Sequence, residues 1–127
     1  MLLSHTSGLP NWRPGDDEEN GLLPIEFEPG TKFSYSGEGM YYLQKVVERI
    51  TGKSLEVLAK ETLFDRNKMR NSSFIWTPEF DSHIASGHDT SGAFKQKTTY
   101  SRANAGYSLY CSATDYALLL LDVLMFN

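Results

Sequence analysis

One stretch, Pro29 to Gly52 (PGTKFSYSGEGMYYLQKVVERITG), limits what this chain can fold into more than any other. Proline pre-sets φ and glycine is free to take positive φ, so Pro29-Gly30 reads as a tight turn. Lys32 to Tyr35 reads as a short extended run. Ser36 is a good helix cap, and Glu38 in the first turn suits the positive end of the helix dipole. Met40, Leu43, Val47 and Ile50 recur at helical spacing, and Gly52 fits the position just past the helix end. The pattern predicts a helix over about 37–51 with Tyr35 at its entrance. A side chain at such a junction is held by defined backbone on both sides and still reaches solvent or a cleft.

Tyr35-Ser36-Gly37 after Pro29-Gly30-Thr31, with a helix ending in Thr51-Gly52, resembles a motif of the serine β-lactamase and penicillin-binding-protein-like hydrolases. That family includes class C β-lactamases, D-alanyl-D-alanine carboxypeptidases and related esterases. Two further segments are similar to family segments and stand in the family's order: Leu2-Leu3-Ser4-His5-Thr6-Ser7-Gly8-Leu9-Pro10, and Asn104 to Leu109 followed by Ser112-Ala113-Thr114-Asp115-Tyr116-Ala117. The resemblance implies that Tyr35 is catalytic and moves protons at a cleft. A phenol is a weak base at neutral pH and needs neighbouring cations or a proton-passing partner for this. It also implies substrate contacts at Ser36, Gly37 and Trp12. Gly37 stands where the family usually has an asparagine that hydrogen-bonds the substrate's amide carbonyl. Glycine cannot do this, which leans the chain toward an esterase-like or peptidase-like relative. Ser36 has a competing use as a helix cap, and Trp12 lies in a loop beside the first matching segment, where it suits a cleft wall. His5 reads as a hydrogen-bonding structural residue.

The family's nucleophile is a serine in Ser-x-x-Lys, the lysine helping to deprotonate an otherwise poor nucleophile. No serine from Ser4 to Ser112 has lysine three residues later, and Lys-Thr-Gly is absent too. The expectation is therefore the middle of a serine hydrolase: one partial domain over 1–127, with the nucleophile outside it and no activity by itself. Tyr116 to Phe126 (YALLLLDVLMF) reads as a helix apolar almost all round, a pattern that expects burial on several sides. The other reading is a free-standing non-catalytic helical module, or a degenerate homologue that binds a peptide or partner. In that case the apolar helix would drive self-association or leave the chain weakly stable.

Hydrophobic content of 40% and charged content of 22% suit a globular chain. A net charge of −4 offers no electrostatic footprint for nucleic acid. His5, His83 and His88 lack metal-ligand spacing, and Asp16-Asp17-Glu18-Glu19 reads as a solvated loop, so no metal is expected. No cofactor is expected either, and the implied partner is a small-molecule or peptide substrate. The apolar run at 116–126 is too short to span a membrane and contains Asp122. Cys111 is the lone cysteine and reads as a small buried residue. The resemblance implies a bacterial parent, exported or held in the cell envelope.

The fold class expected is mainly α with a few short strands, like the helical subdomain of the β-lactamase and penicillin-binding-protein-like fold. A second helix is predicted from Leu55 to Leu63, capped by Ser54. Phe74-Ile75-Trp76 reads as extended, and Ile84 to Phe94 resembles a segment that in the family is a short strand and hairpin. A last helix is expected to start at Ser112, with Asp115 closing a capping box.

Overall fold

The computed structural model describes residues 1–13 and 22–125; the acidic run Asp16–Glu19 and Phe126 lie outside them. Helix α1 occupies Gly37–Thr51, with Ser36 as its cap and Gly52 in the left-handed region at φ 69°. The glycine's N–H closes the last turn on the Glu48 carbonyl at 2.9 Å. Both ends therefore form as the sequence predicts, because cap chemistry acts over three or four residues. The predicted apolar stripe fares differently. Val47 and Ile50 are exposed, whereas Gln44 is buried. Gln44 Oε1 accepts the Ala105 N–H at 2.9 Å. What faces the helix there is the Ala105 backbone amide, a donor whose acceptor an aliphatic side chain could not supply.

The chain divides into two compact units, Met1–Lys53 with Asn104–Tyr107, and Ser54–Ala103 with Ser108–Asn127. In the second unit, helix α2 (Leu55–Ala59) is capped by Ser54 and passes into a π-helical turn, Lys60–Phe64, then into α3 (Asp65–Asn67). The helical segment is thus longer and wider than expected. Its core is Ala59, Phe64 and Met69, with Leu63, Phe74, Cys111, Leu118 and Leu119 packed around them. These three core residues are five apart, a spacing that an α-turn splays and a π-turn brings near one face. The Met69 N–H reaches the Phe64 carbonyl at 2.8 Å across the same interval. Cys111 is half-buried, its Sγ 3.2 Å from the Ser72 hydroxyl oxygen.

Strand β1 (Ser72–Ser73) pairs antiparallel with β2 (Tyr110–Cys111), Ser72 opposite Cys111 and Ser73 opposite Tyr110. The strand lies just before the predicted 74–76 run. The Glu56 carboxylate takes the Phe74 N–H at 2.6 Å and the Ser73 hydroxyl at 3.0 Å. Trp76 N–H bonds instead to the Tyr100 carbonyl at 2.7 Å. With those donors occupied the ladder ends. A 3₁₀ turn, Pro78–Ser82, follows. Trp76, Phe80 and Tyr110 form an aromatic cluster, and the Tyr110 hydroxyl accepts from Tyr100 N–H and donates to the Thr98 carbonyl, both at 2.9 Å. The expected hairpin is present as a bridge between His88 and Phe94.

Helix α4 spans Ala113–Met125. Its start is only half a capping box. Ser112 Oγ accepts the Asp115 N–H at 3.1 Å, but the Asp115 carboxylate turns away to accept from Asn71 N–H at 2.6 Å and Ser72 Oγ–H at 2.8 Å. An aspartate is one methylene shorter than the glutamate of a full box, and here it ties the helix to β1. The chain is mostly helical with a two-stranded sheet, as the sequence predicts. Among the described residues no helix is long and apolar enough to cross a membrane.

Candidate active-site cleft wall around Tyr35

The junction before α1 belongs to the first unit. Ser36 has extended backbone, φ −137° and ψ 108°. Its oxygen accepts the Gly39 N–H at 2.8 Å while its O–H donates to the Pro10 carbonyl at 2.8 Å. Asn11 takes the two preceding helical amides: Gly37 N–H bonds to Asn11 Oδ1 at 3.0 Å and Glu38 N–H to the Asn11 carbonyl at 2.9 Å. The first three donors of the helix are thereby satisfied within the unit.

Glu38 is 2% exposed, not the surface carboxylate that its place in the first turn suggests by default. Its Oε1 accepts from Arg13 Nε at 3.0 Å and from Arg13 N–H at 3.2 Å, with Arg13 Nη2 at 3.4 Å from Oε2. A buried carboxylate is tolerated only when paired and hydrogen-bonded in this way. The pair anchors the residue next to Trp12 on the helix entrance.

Trp12 lies across Gly37. A Cβ at Gly37 would overlap the six-membered ring of the indole, and one at Gly106 would stand 2.8 Å from Trp12 Cη2. Two glycines thus make a seat that no other residue would leave open. Tyr107 completes it, its ring edge-on to Trp12 at 5.4 Å. The Asn104 side chain shapes that loop by accepting the Gly106 N–H at 2.8 Å.

Of the four residues expected at the site, two are open: Tyr35 is 56% exposed and Trp12 39%. Ser36 is 1% exposed with its hydroxyl both donating and accepting, so the structure shows the capping use. Gly37 is buried, its amide bonded to Asn11 and its free face covered by Trp12. Sequence reasoning missed Asn11, Arg13, Gly106 and Tyr107 as supports. The signal available was the pair of glycines, at 37 and 106, in two separate matching segments. His5 is a hydrogen-bonding residue: its Nδ1 accepts the Ser36 N–H at 3.1 Å, and its ring lies 4.5 Å from that of Tyr35. Among the described residues no group of three His, Cys, Asp or Glu side chains could hold a metal ion.

The model of the family described as Beta-lactamase matches residues 1–125. A lovastatin esterase from Penicillium rubens is 32% identical over 93 residues, 58% of this chain and 23% of that protein. The chain thus spans about a quarter of the length of this curated relative. Among solved structures, a simvastatin synthase from Aspergillus terreus superposes with TM-score 0.77 at 22% identity, covering 97% of this chain and 36% of that one. A penicillin-binding protein from Bacillus halodurans gives TM-score 0.75 at 23% identity, covering 98% and 45%. A class C β-lactamase gives 0.73 at 19% identity, covering 92% and 34%. At these identities the structural matches speak for the fold.

Proposed function

The chain belongs to the β-lactamase family, and on that premise we propose that it forms part of a serine hydrolase that cleaves esters through an acyl-enzyme. The nucleophilic serine and its lysine lie outside these 127 residues, since no Ser-x-x-Lys occurs in them. Tyr35 is the proton carrier. Its hydroxyl accepts the proton released as the serine attacks while handing its own to the lysine outside these residues; the relay runs in reverse to protonate the leaving alkoxide, and the same hydroxyl relays the proton of the water that hydrolyses the acyl-enzyme. By itself the chain has no hydrolytic activity.

The observation that carries the ester assignment is Trp12 lying across Gly37. Where the family usually offers a carboxamide to a substrate amide, this chain has no side chain, and an indole fills the space. A substrate that reaches Tyr35 and the first turn of the helix after it would meet the indole packed on Gly37 rather than a hydrogen-bonding amide. Such a wall favours the apolar acyl or alcohol portion of an ester through burial and leaves an amide's polar groups without partners. The likeness to a lovastatin esterase agrees with this chemistry.

The test is to assay the intact hydrolase that contains this segment against p-nitrophenyl butyrate and a chromogenic cephalosporin. The expected result is ester hydrolysis well above cephalosporin hydrolysis. Tyr35→Phe should lower kcat for the ester by roughly 10²- to 10⁴-fold, the range of a lost general acid–base group. Faster turnover of the cephalosporin than of the ester would overturn the substrate assignment, and an unchanged kcat in Tyr35→Phe would remove Tyr35 from the chemistry.

A further inference from the structure

His5 holds the backbone on both sides of Tyr35. Its carbonyl accepts the Ser34 N–H at 2.9 Å and its ring Nδ1 accepts the Ser36 N–H at 3.1 Å. In an extended segment the amides of alternate residues point the same way, so one residue opposite can engage both. The Tyr35 ring lies over the imidazole at 4.5 Å with a tilt of 33°, and Phe33 meets the imidazole edge-on at 5.8 Å. Three successive residues, 34 to 36, are thus fixed by one histidine that comes 31 positions before Ser36.

The bond to Ser36 dictates the ring's chemistry. An Nδ1 that accepts an N–H has no proton, so the imidazole is neutral with its proton on Nε2. Protonation would turn Nδ1 into a donor facing another donor and break the contact. The backbone of His5 is also unusual. It sits in the left-handed region at φ 54°, a conformation rare outside glycine, in which asparagine, aspartate and histidine are enriched. That conformation serves the two-point grip, with the carbonyl directed at Ser34 while the ring reaches Ser36.

We propose that His5, as the neutral Nε2–H tautomer, is a positioning residue for Tyr35: it clamps the flanking amides and supports the face of the phenol ring. The functional weight of this clamp rests on Tyr35 being the proton carrier. The clamp itself does not, and the two are tested apart.

The first measurement is long-range ¹H–¹⁵N NMR of the 127-residue chain at neutral to mildly basic pH. The expected signature is a neutral His5 ring with the proton on Nε2 and nitrogen shifts that separate a bonded Nδ1 from Nε2. A through-bond coupling or NOE between the Ser36 amide and the His5 ring should report the contact directly. An Nδ1–H tautomer, or a Ser36 amide indifferent to His5, would overturn the proposal without any variant having to fold.

Variants supply the second arm. His5→Asn keeps an acceptor for Ser36 and tolerates the left-handed backbone, but it removes the ring. It should retain the slow-exchanging Ser36 amide and lose the ring-current shift on Tyr35, whereas His5→Ala should lose both. In the intact hydrolase His5→Ala should lower kcat by roughly ten- to a hundredfold with KM little changed, the scale of a misplaced catalytic group, and His5→Asn should recover part of it. Equal loss in both variants, or a change in KM alone, would refute positioning. If Tyr35→Phe proves fully active while the NMR signature holds, the clamp stands and the catalytic assignment of Tyr35 falls.

Discussion

At Gly37 any side chain collides with Trp12, because the indole already occupies the Cβ position. The fit is reciprocal: the ring is held by the glycine's absence of side chain as much as by Tyr107. Gly37→Asn, which would restore the asparagine of the resemblance, should therefore destabilise the chain by about 1–3 kcal/mol through overpacking. Combining it with Trp12→Ala should relieve the clash, so that the double variant is more stable than the two single effects added together. Urea unfolding of the four proteins measures this directly, and additivity would show that the two sites do not share space. The same residues mark the limit of the sequence. The Ser36 cap and the Gly52 terminus were legible because their chemistry spans three or four positions. The Arg13–Glu38 pair and the His5–Ser36 bond join residues 25 and 31 apart, and no local pattern encodes them.

At the scale of elements, the His88–Phe94 hairpin and helix α4 make opposite demands on solvent. The hairpin is organised by one exposed carboxylate. Asp89 Oδ1 accepts from Ser91 N–H at 2.8 Å, Ser91 Oγ–H at 2.6 Å and Ala93 N–H at 2.9 Å. The Ser91 hydroxyl, followed by these backbone donors, holds the Asp89 carboxyl below its ordinary value. A carboxyl lowered on folding lends order above its unfolded value, near pH 4, and that order is lost as pH falls through the lower folded value. The Ser91 and Ala93 amide shifts should be flat from pH 7 to about 5 and collapse only in stronger acid. Asp89→Asn, which keeps an acceptor but cannot titrate, should abolish that transition. Helix α4 instead leaves Leu120, Leu121, Leu124 and Met125 between 46% and 75% exposed. Such a contiguous apolar face seeks cover. The isolated chain should therefore self-associate as concentration rises in sedimentation runs, and Leu121→Lys with Leu124→Lys should hold it monomeric. A concentration-independent monomer without those changes would dismiss the idea.

At the scale of the whole molecule, the helical class and the order of elements were legible, whereas the two places where helix geometry departs from the ordinary were not. The π-helical turn at Lys60–Phe64 exists because Ala59, Phe64 and Met69 must share a core, a demand set by what packs against them rather than by the turn's own residues. The buried Gln44 on α1 likewise answers a distant amide, that of Ala105. The chain holds two tryptophans, and they fall one in each compact unit: Trp12 beside Tyr107 in the first, Trp76 among Phe80 and Tyr110 in the second. Their settings give the protein a pair of built-in optical reporters. Trp12, packed against Gly37 and Tyr107, should change its emission when an apolar ester occupies the site proposed around Tyr35. Trp76, inside its aromatic cluster, should stay silent until the second unit unfolds. With Trp76→Phe, occupancy could be followed by eye of a fluorimeter alone, without label and without turnover.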